Sequence, residues 1–171
     1  SDVVDIVNWT DEGVPTAYIF SGNGLYKTDG DTVELVDPYT PGEGEASNLL
    51  DDTVTNAIAK CTTAFVSTSF SQRFVATGNP DSPNEVYLSA PFNAGYFPAD
   101  QVIKLPDDGG KVVGVTQWYG TLIIFRDTDI YMFSGSDLTD PDAMLVRQAP
   151  VGCAARKSIV TVPDYGVIFL G

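Results

Sequence analysis

The chain has 171 residues, with 23 Asp and Glu against 9 Lys and Arg, a formal charge of −14 and no histidine. The length suits one domain with a sizeable core, and 43% apolar against 19% charged residues is globular rather than disordered usage. Without histidine, Ser-His-Asp and Cys-His catalysis and His-ligated zinc are excluded within this chain, and the acidic surplus argues against a surface that grips phosphate.

In chain order, residues 3–9 form an alternating or apolar run that predicts a strand. Residues 16–30 follow, T-A-Y-I-F-S-G-N-G-L-Y-K-T-D-G, two β-rich runs joined by Ser/Gly/Asn, which is hairpin chemistry. Residues 32–36 are a further strand. Residues 37–53 are a long acidic loop rich in Pro and Gly, either a contact segment or a mobile one. Leu50, Val54 and Ile58 at i, i+4, i+8 behind Ser47 predict a helix over 47–60, unless this stretch feeds directly into the strand expected over 58–66. Residues 73–78 and 85–89 form a looser hairpin, and 101–105 a strand. Residues 112–118 are a strand, 121–135 a second clear hairpin (T-L-I-I-F-R-D-T-D-I-Y-M-F-S-G), and 144–147 a strand. Residues 159–162 and 166–171 begin the pattern again.

The segments 16–30 and 121–135 align without a gap, sharing Thr, Ile-Phe and an apolar-Tyr pair. Phe20, Phe74, Phe125 and Phe169 are read as the anchors of a repeat whose unit is four antiparallel strands. The predicted units are 1–53, 54–108, 109–150 and an incomplete 151–171. Such meanders are what β-propeller blades look like in sequence; a β-sandwich or barrel also carries many short strands. The expected fold is therefore all-β, about three and a half propeller blades. Propellers typically close with 4–8 blades, so the chain is expected to be part of a larger propeller, either a piece of a longer protein or one whose ring another chain completes.

No catalytic, cofactor-binding or metal-binding residue emerges. Gly22-Asn23-Gly24 resembles a nucleotide-loop fragment, but Lys27 and the hairpin context make it a turn. Asp29 with Asp31, Asp107 with Asp108, Asp127 with Asp129, and Asp137 with Asp140 and Asp142 lack calcium-loop spacing, and Asp is also a turn residue in its own right. The 23 carboxylates nominate no glycosidase pair. Tyr96-Phe97 after Pro91-Phe92, and Trp118-Tyr119, could stack on sugar or serve the core. Asn8-Trp9-Thr10 matches a glycosylation sequon in a chain without secretory signs. Cys61 and Cys153 are expected as free buried thiols. No apolar run approaches a membrane span, so no membrane anchor is expected.

The runs Asn84 to Pro91, Gly110 to Val115, Thr121 to Arg126 and Asp129 to Gly135, continued by Val151-Gly152-Cys153-Ala154-Ala155 and Gly166 to Leu170, resemble virion structural proteins of tailed bacteriophages. The resemblance covers roughly residues 55–171 and is to the β-propeller-containing tail hub or nozzle proteins of short-tailed phages, including the phage stabilisation proteins, whose members are several times longer. It implies a non-enzymatic part of the virion tail, assembled in the bacterial host cytoplasm. It further implies a homo-oligomeric ring, commonly sixfold, below the portal and adaptor, meeting other tail proteins and letting DNA pass without specific binding. On that reading some of the Asp-rich turns line the lumen, since a channel for a polyanion should not hold it. A carbohydrate-binding or carbohydrate-degrading β-domain is the alternative.

Overall fold

The computed structural model describes residues 5–11, 13–51, 56–67 and 72–171. Fourteen strands are described: β1 (Asp5–Asp11), β2 (Val14–Phe20), β3 (Leu25–Thr28), β4 (Val33–Leu35), β5 (Thr63–Ser67), β6 (Arg73–Thr77), β7 (Glu85–Leu88), β8 (Val102–Lys104), β9 (Val112–Trp118), β10 (Thr121–Arg126), β11 (Ile130–Ser134), β12 (Met144–Ala149), β13 (Val160–Val162) and β14 (Gly166–Ile168). They form three four-stranded antiparallel meanders, β1–β4, β5–β8 and β9–β12, and a two-stranded sheet, β13–β14. The fold is all-β, with blade-like meanders as the repeat implied. A single 3-10 turn, Arg156–Ser158, is the only helical element among the described residues, and no described helix is long and apolar enough to cross a membrane.

Period-2 alternation gives every strand two faces, and here both faces are used. The face of the first sheet carrying Trp9, Tyr18, Phe20 and Leu25 packs on the second sheet's Ala64, Phe74, Ala76 and Tyr87. The second sheet's opposite face, Val75, Val86, Leu88 and Ile103, meets Leu122, Ile124, Tyr131 and Phe133 of the third. The third sheet's far face, Ile123, Phe125 and Ile130, receives Ile159, Val167 and Phe169. The sheets form a series with one core between each pair of neighbours.

The four phenylalanines turn out not to be equivalent positions. Phe20 closes β2 and Phe125 is penultimate in β10, whereas Phe74 is second in β6 and Phe169 follows β14. They meet as two pairs across sheet interfaces: Phe20 lies 5.8 Å from Phe74, and Phe125 5.0 Å from Phe169, between ring centroids. The position that does recur is a third-strand tyrosine, Tyr26, Tyr87 and Tyr131, of which Tyr87 and Tyr131 face the preceding sheet.

The helix expected over 47–60 does not form among the described residues. Leu50 and Ile58 are both buried, but turns bring them in, with the Ile58 N–H reaching Leu49 O and the Ala59 N–H capped by Asn56 Oδ1. The strand expected from residue 58 starts only at Thr63. Val54 lies outside the described residues, as do Val3, Val4 and the last two positions of the 37–53 loop.

The rest of that loop is fastened by Asn48, which is 5% exposed. Its Nδ2 donates to Tyr39 O and Gly95 O, and its Oδ1 accepts the Leu50 and Phe97 N–H groups. One side chain thus adds four bonds to the few backbone ones, such as the Leu49 N–H to Phe97 O, that the two irregular segments give each other.

Candidate functional site

The first sheet has a second face, and among the described residues no strand packs on it. Register places Ile6, Ile19, Tyr26 and Leu35 in one row across β1–β4, and Asn8, Ala17, Thr28 and Val33 in the next. Ile6 is 62% exposed and Leu35 59%, with Ile19 and Tyr26 half-buried between them. The ungapped repeat makes Ile19 and Tyr26 the counterparts of Ile124 and Tyr131, which are buried against the second sheet.

Two buried arginines hold charge inside the series. Arg126, at the end of β10, is fully buried, and Asp108, Asp129 at 3.3 Å and the Tyr131 ring at 5.8 Å surround it. Arg147 reaches the same Asp129 carboxylate at 2.8 Å. Burial alone would lower Arg126, but the hydrogen bond it donates to Asp108 and the charges of Asp129 and Asp108 outweigh it and hold the guanidinium above its ordinary value. Gly110 makes the room: a Cβ there would sit 2.0 Å from the Arg126 side chain.

Arg73, at the start of β6, is less well compensated. Its contacts to Ser89 O, Gln101 Oε1 and Asp137 are long, at 3.4, 3.4 and 3.6 Å, and its Nε finds no partner among the described residues. Burial pulls this guanidinium below its usual value, and Asp137 only partly offsets it. Arg73 lines a cleft of about 290 Å³ with Tyr96, Gln101 and Thr139, whose rim bears Glu45 and Asp100. Those two carboxylates oppose an anionic ligand. Arg73 instead ties the second sheet to the β11–β12 connection through Asp137, and Gln101 does the same by accepting the Leu138 N–H.

A third ion pair lies where the first strands of successive sheets converge. Asp5 in β1 accepts the Ala64 N–H of β5 and pairs with Arg156, which stands just before β13. It links the first sheet, the second and the approach to the last.

The aspartate clusters build turns. Asp29 accepts the Asp31 and Thr32 N–H groups, Asp137 those of Thr139 and Asp140, Asp140 those of Ser136 and Asp142, and Asp108 that of Gly110. Their own hydrogen bonds hold all four carboxyls below the ordinary range, with Thr139 Oγ1 the main cause at Asp137 and Arg126 at Asp108. Among the described residues no group of three Cys, Asp or Glu side chains is placed to hold a metal ion. These turns join second to third strands, third to fourth strands, and one sheet to the next. They sit at the ends of the sheets, not on the first strands.

Of the aromatics, Phe97 and Tyr96 are core: Phe97 is fully buried, and Tyr96 tilts on Tyr39 and donates its hydroxyl to Ala46 O. Phe92 is exposed, and so is Tyr119, which leans on Trp118 and donates to Asp164. Phe92 and Tyr119 have φ of 56° and 44°. Asn8 is exposed on β1. Cys61 and Cys153 are free and buried, and burial pushes the Cys61 thiol up. Each lies in a crossover that docks on the hairpin turn of the sheet before it, Cys61 O accepting the Gly22 N–H and the Cys153 N–H donating to Arg126 O. Gly152 is needed there, because a Cβ would meet Asp127 O at 1.9 Å. Asn48, Arg73, Arg126 and the Asp5–Arg156 pair were missed in the sequence; an isolated Asn or Arg gives no sign of burial.

No family model matches the chain, and no curated protein matches it. Among solved structures it is similar to Saccharomyces cerevisiae Sqt1, with a TM-score of 0.50 and 14% identity over 92% of this chain and 37% of Sqt1. At that identity the likeness concerns the fold alone. The chain spans little more than a third of that neighbour's length.

Proposed function

We propose that the chain is a structural component of a tailed-bacteriophage virion, at the tail hub or nozzle, and works by assembly rather than chemistry. The observation that carries the assembly role is the open apolar row of the first sheet, Ile6, Ile19, Tyr26 and Leu35, in which Ile19 and Tyr26 correspond to Ile124 and Tyr131, both buried against the second sheet. The phage assignment rests on the residue texture of 55–171. The charge of −14 suits a part that DNA passes without sticking, because few Lys or Arg are present to release counterions.

The test is mass spectrometry of purified virions from the source phage, with imaging of the isolated tail. Peptides of this chain recovered in tails, in a ring below the portal, support the proposal; their absence from virions overturns it. A carbohydrate-binding reading is favoured by one observation, the exposed Tyr119 tilted against Trp118. Glycan binding lost on Tyr119→Ala would establish that reading instead.

A further inference from the structure

We infer that the cleft floored by Arg73 binds a basic peptide segment, with a main-chain carbonyl reaching the buried guanidinium and a Lys or Arg side chain held by Glu45 and Asp100 at the rim. The inference goes beyond the virion reading and does not depend on it. The cleft belongs to the middle of the chain, its lining running from Gly44 to Thr139.

The floor is a donor short of acceptors. The Arg73 side chain is 6% exposed, yet its Nε has no partner among the described residues and its nearest acceptors stand at 3.4 Å. Those neighbours are engaged elsewhere. Asp137 Oδ1 takes the Thr139 hydroxyl and the Thr139 and Asp140 N–H groups, which leaves Oδ2 for Arg73 at 3.6 Å, and Gln101 Oε1 also accepts the Leu138 N–H. A guanidinium carries five N–H donors, and a buried charged group short of acceptors is more costly than a neutral one. A carbonyl entering the cleft supplies what the chain does not. The approach to Arg73 is also fixed: Gln72 and Phe92 both have positive φ, 48° and 56°, and the Phe92 N–H donates to Gln72 O at 3.1 Å.

The rim has the opposite character. Glu45 and Asp100 are exposed, and their charges add to burial in raising the Tyr96 hydroxyl, whereas the charge that acts on Arg73 is that of Asp137. A negative mouth over a donor floor repels a plain carboxylate or phosphate and selects a ligand that is cationic at one end and accepting at the other. A peptide segment carrying Lys or Arg has both features a few bonds apart. The volume of about 290 Å³ is at the small end of ligand pockets, roughly 300–1,000 Å³, which suits one side chain with its peptide group.

NMR titration of the isotope-labelled chain tests this with three probes: acetyl-Gly-Lys-Gly-amide, acetyl-Gly-Glu-Gly-amide and butylamine. The lysine peptide should bind with a Kd of about 1 mM or below and shift the amide signals of Tyr96, Gln101 and Thr139. The glutamate peptide, with the wrong charge, and butylamine, a cation without a carbonyl, should each bind at least about tenfold more weakly. Asp100→Asn and Glu45→Gln, the latter keeping an acceptor for the Gly42 N–H, should each weaken the lysine peptide at least about threefold. Arg73→Lys should narrow its advantage over butylamine; should that variant fail to fold, the comparison of probes on the wild type still decides. No binding of the lysine peptide at about 10 mM, equal affinity for the three probes, shifts confined to residues away from the cleft, or rim variants that bind like the wild type each overturns the inference. Absence of the chain from virions would refute the phage assignment and leave this result standing, so the two failures are distinguishable.

Discussion

Asn48 shows how much one side chain carries when the backbone around it is irregular. It bonds two carbonyls and two N–H groups on separate segments, the Phe97 and Leu50 N–H groups among them. Asn48→Ala removes all four bonds without removing the groups, so a loss of about 2–4 kcal/mol is expected in urea unfolding. Asp137 offers a pH test. Its carboxyl is held low, chiefly by Thr139 Oγ1, with the Thr139 and Asp140 N–H groups and Arg73 assisting. A depressed folded value means stabilisation that is present above the unfolded value near 3.8 and lost as pH falls through the folded one. Thermal melts should therefore show Asp137→Asn less stable than wild type at about pH 7 and the gap narrowing below about pH 4. A constant gap would mean that the charge of Asp137 contributes nothing. Neither residue stood out in the sequence, because an Asn in a Pro/Gly-rich loop and an Asp in a turn are ordinary there; their partners lie far along the chain or depend on turn geometry.

Strands and their pairing were legible because alternation and hairpin turns are local. Residues 112–118 were read as a strand with the bounds they have, and the meander order followed from short connections. What could not be read locally was which face meets what. Phe74 looked like a repeat anchor but is an interface residue, stacked on Trp9 at 4.5 Å and tilted against Tyr18 at 4.9 Å. Leu50 and Ile58 showed helical spacing because both are core, and two turns satisfy that spacing as well as a helix would. Phe74→Ala should lower stability by about 3–5 kcal/mol and alter Trp9 emission. Phe92→Ala, at an exposed position, should stay within about 0.5 kcal/mol in the same urea titration. Comparable losses at both positions would show that the first interface does not depend on Phe74.

For the whole molecule, the sheets touch mainly their neighbours in sequence, so stability should follow nearest-neighbour rules. The second sheet is covered on both faces, whereas the first is covered on one and the last has two described strands. Hydrogen exchange should therefore be slowest in β6 and β7, and faster in β2 and in β13–β14. Uniform protection from β2 to β14 would mean that the series unfolds as one unit. The propeller character of the chain was legible from the repeat; the pairing of its inner strands by Asp5 and Arg156 was not, since 151 residues separate the two.

The bare face of the first sheet gives the net charge a further physical task. An exposed apolar row is a sticky spot, and like charge on neighbouring copies supplies a barrier in front of it. Its range is the Debye length, about 30 Å at 0.01 M salt and about 3 Å at 1 M. Salt then sets how closely anything acidic can approach that row: dilute buffer holds it off, and concentrated salt removes the barrier.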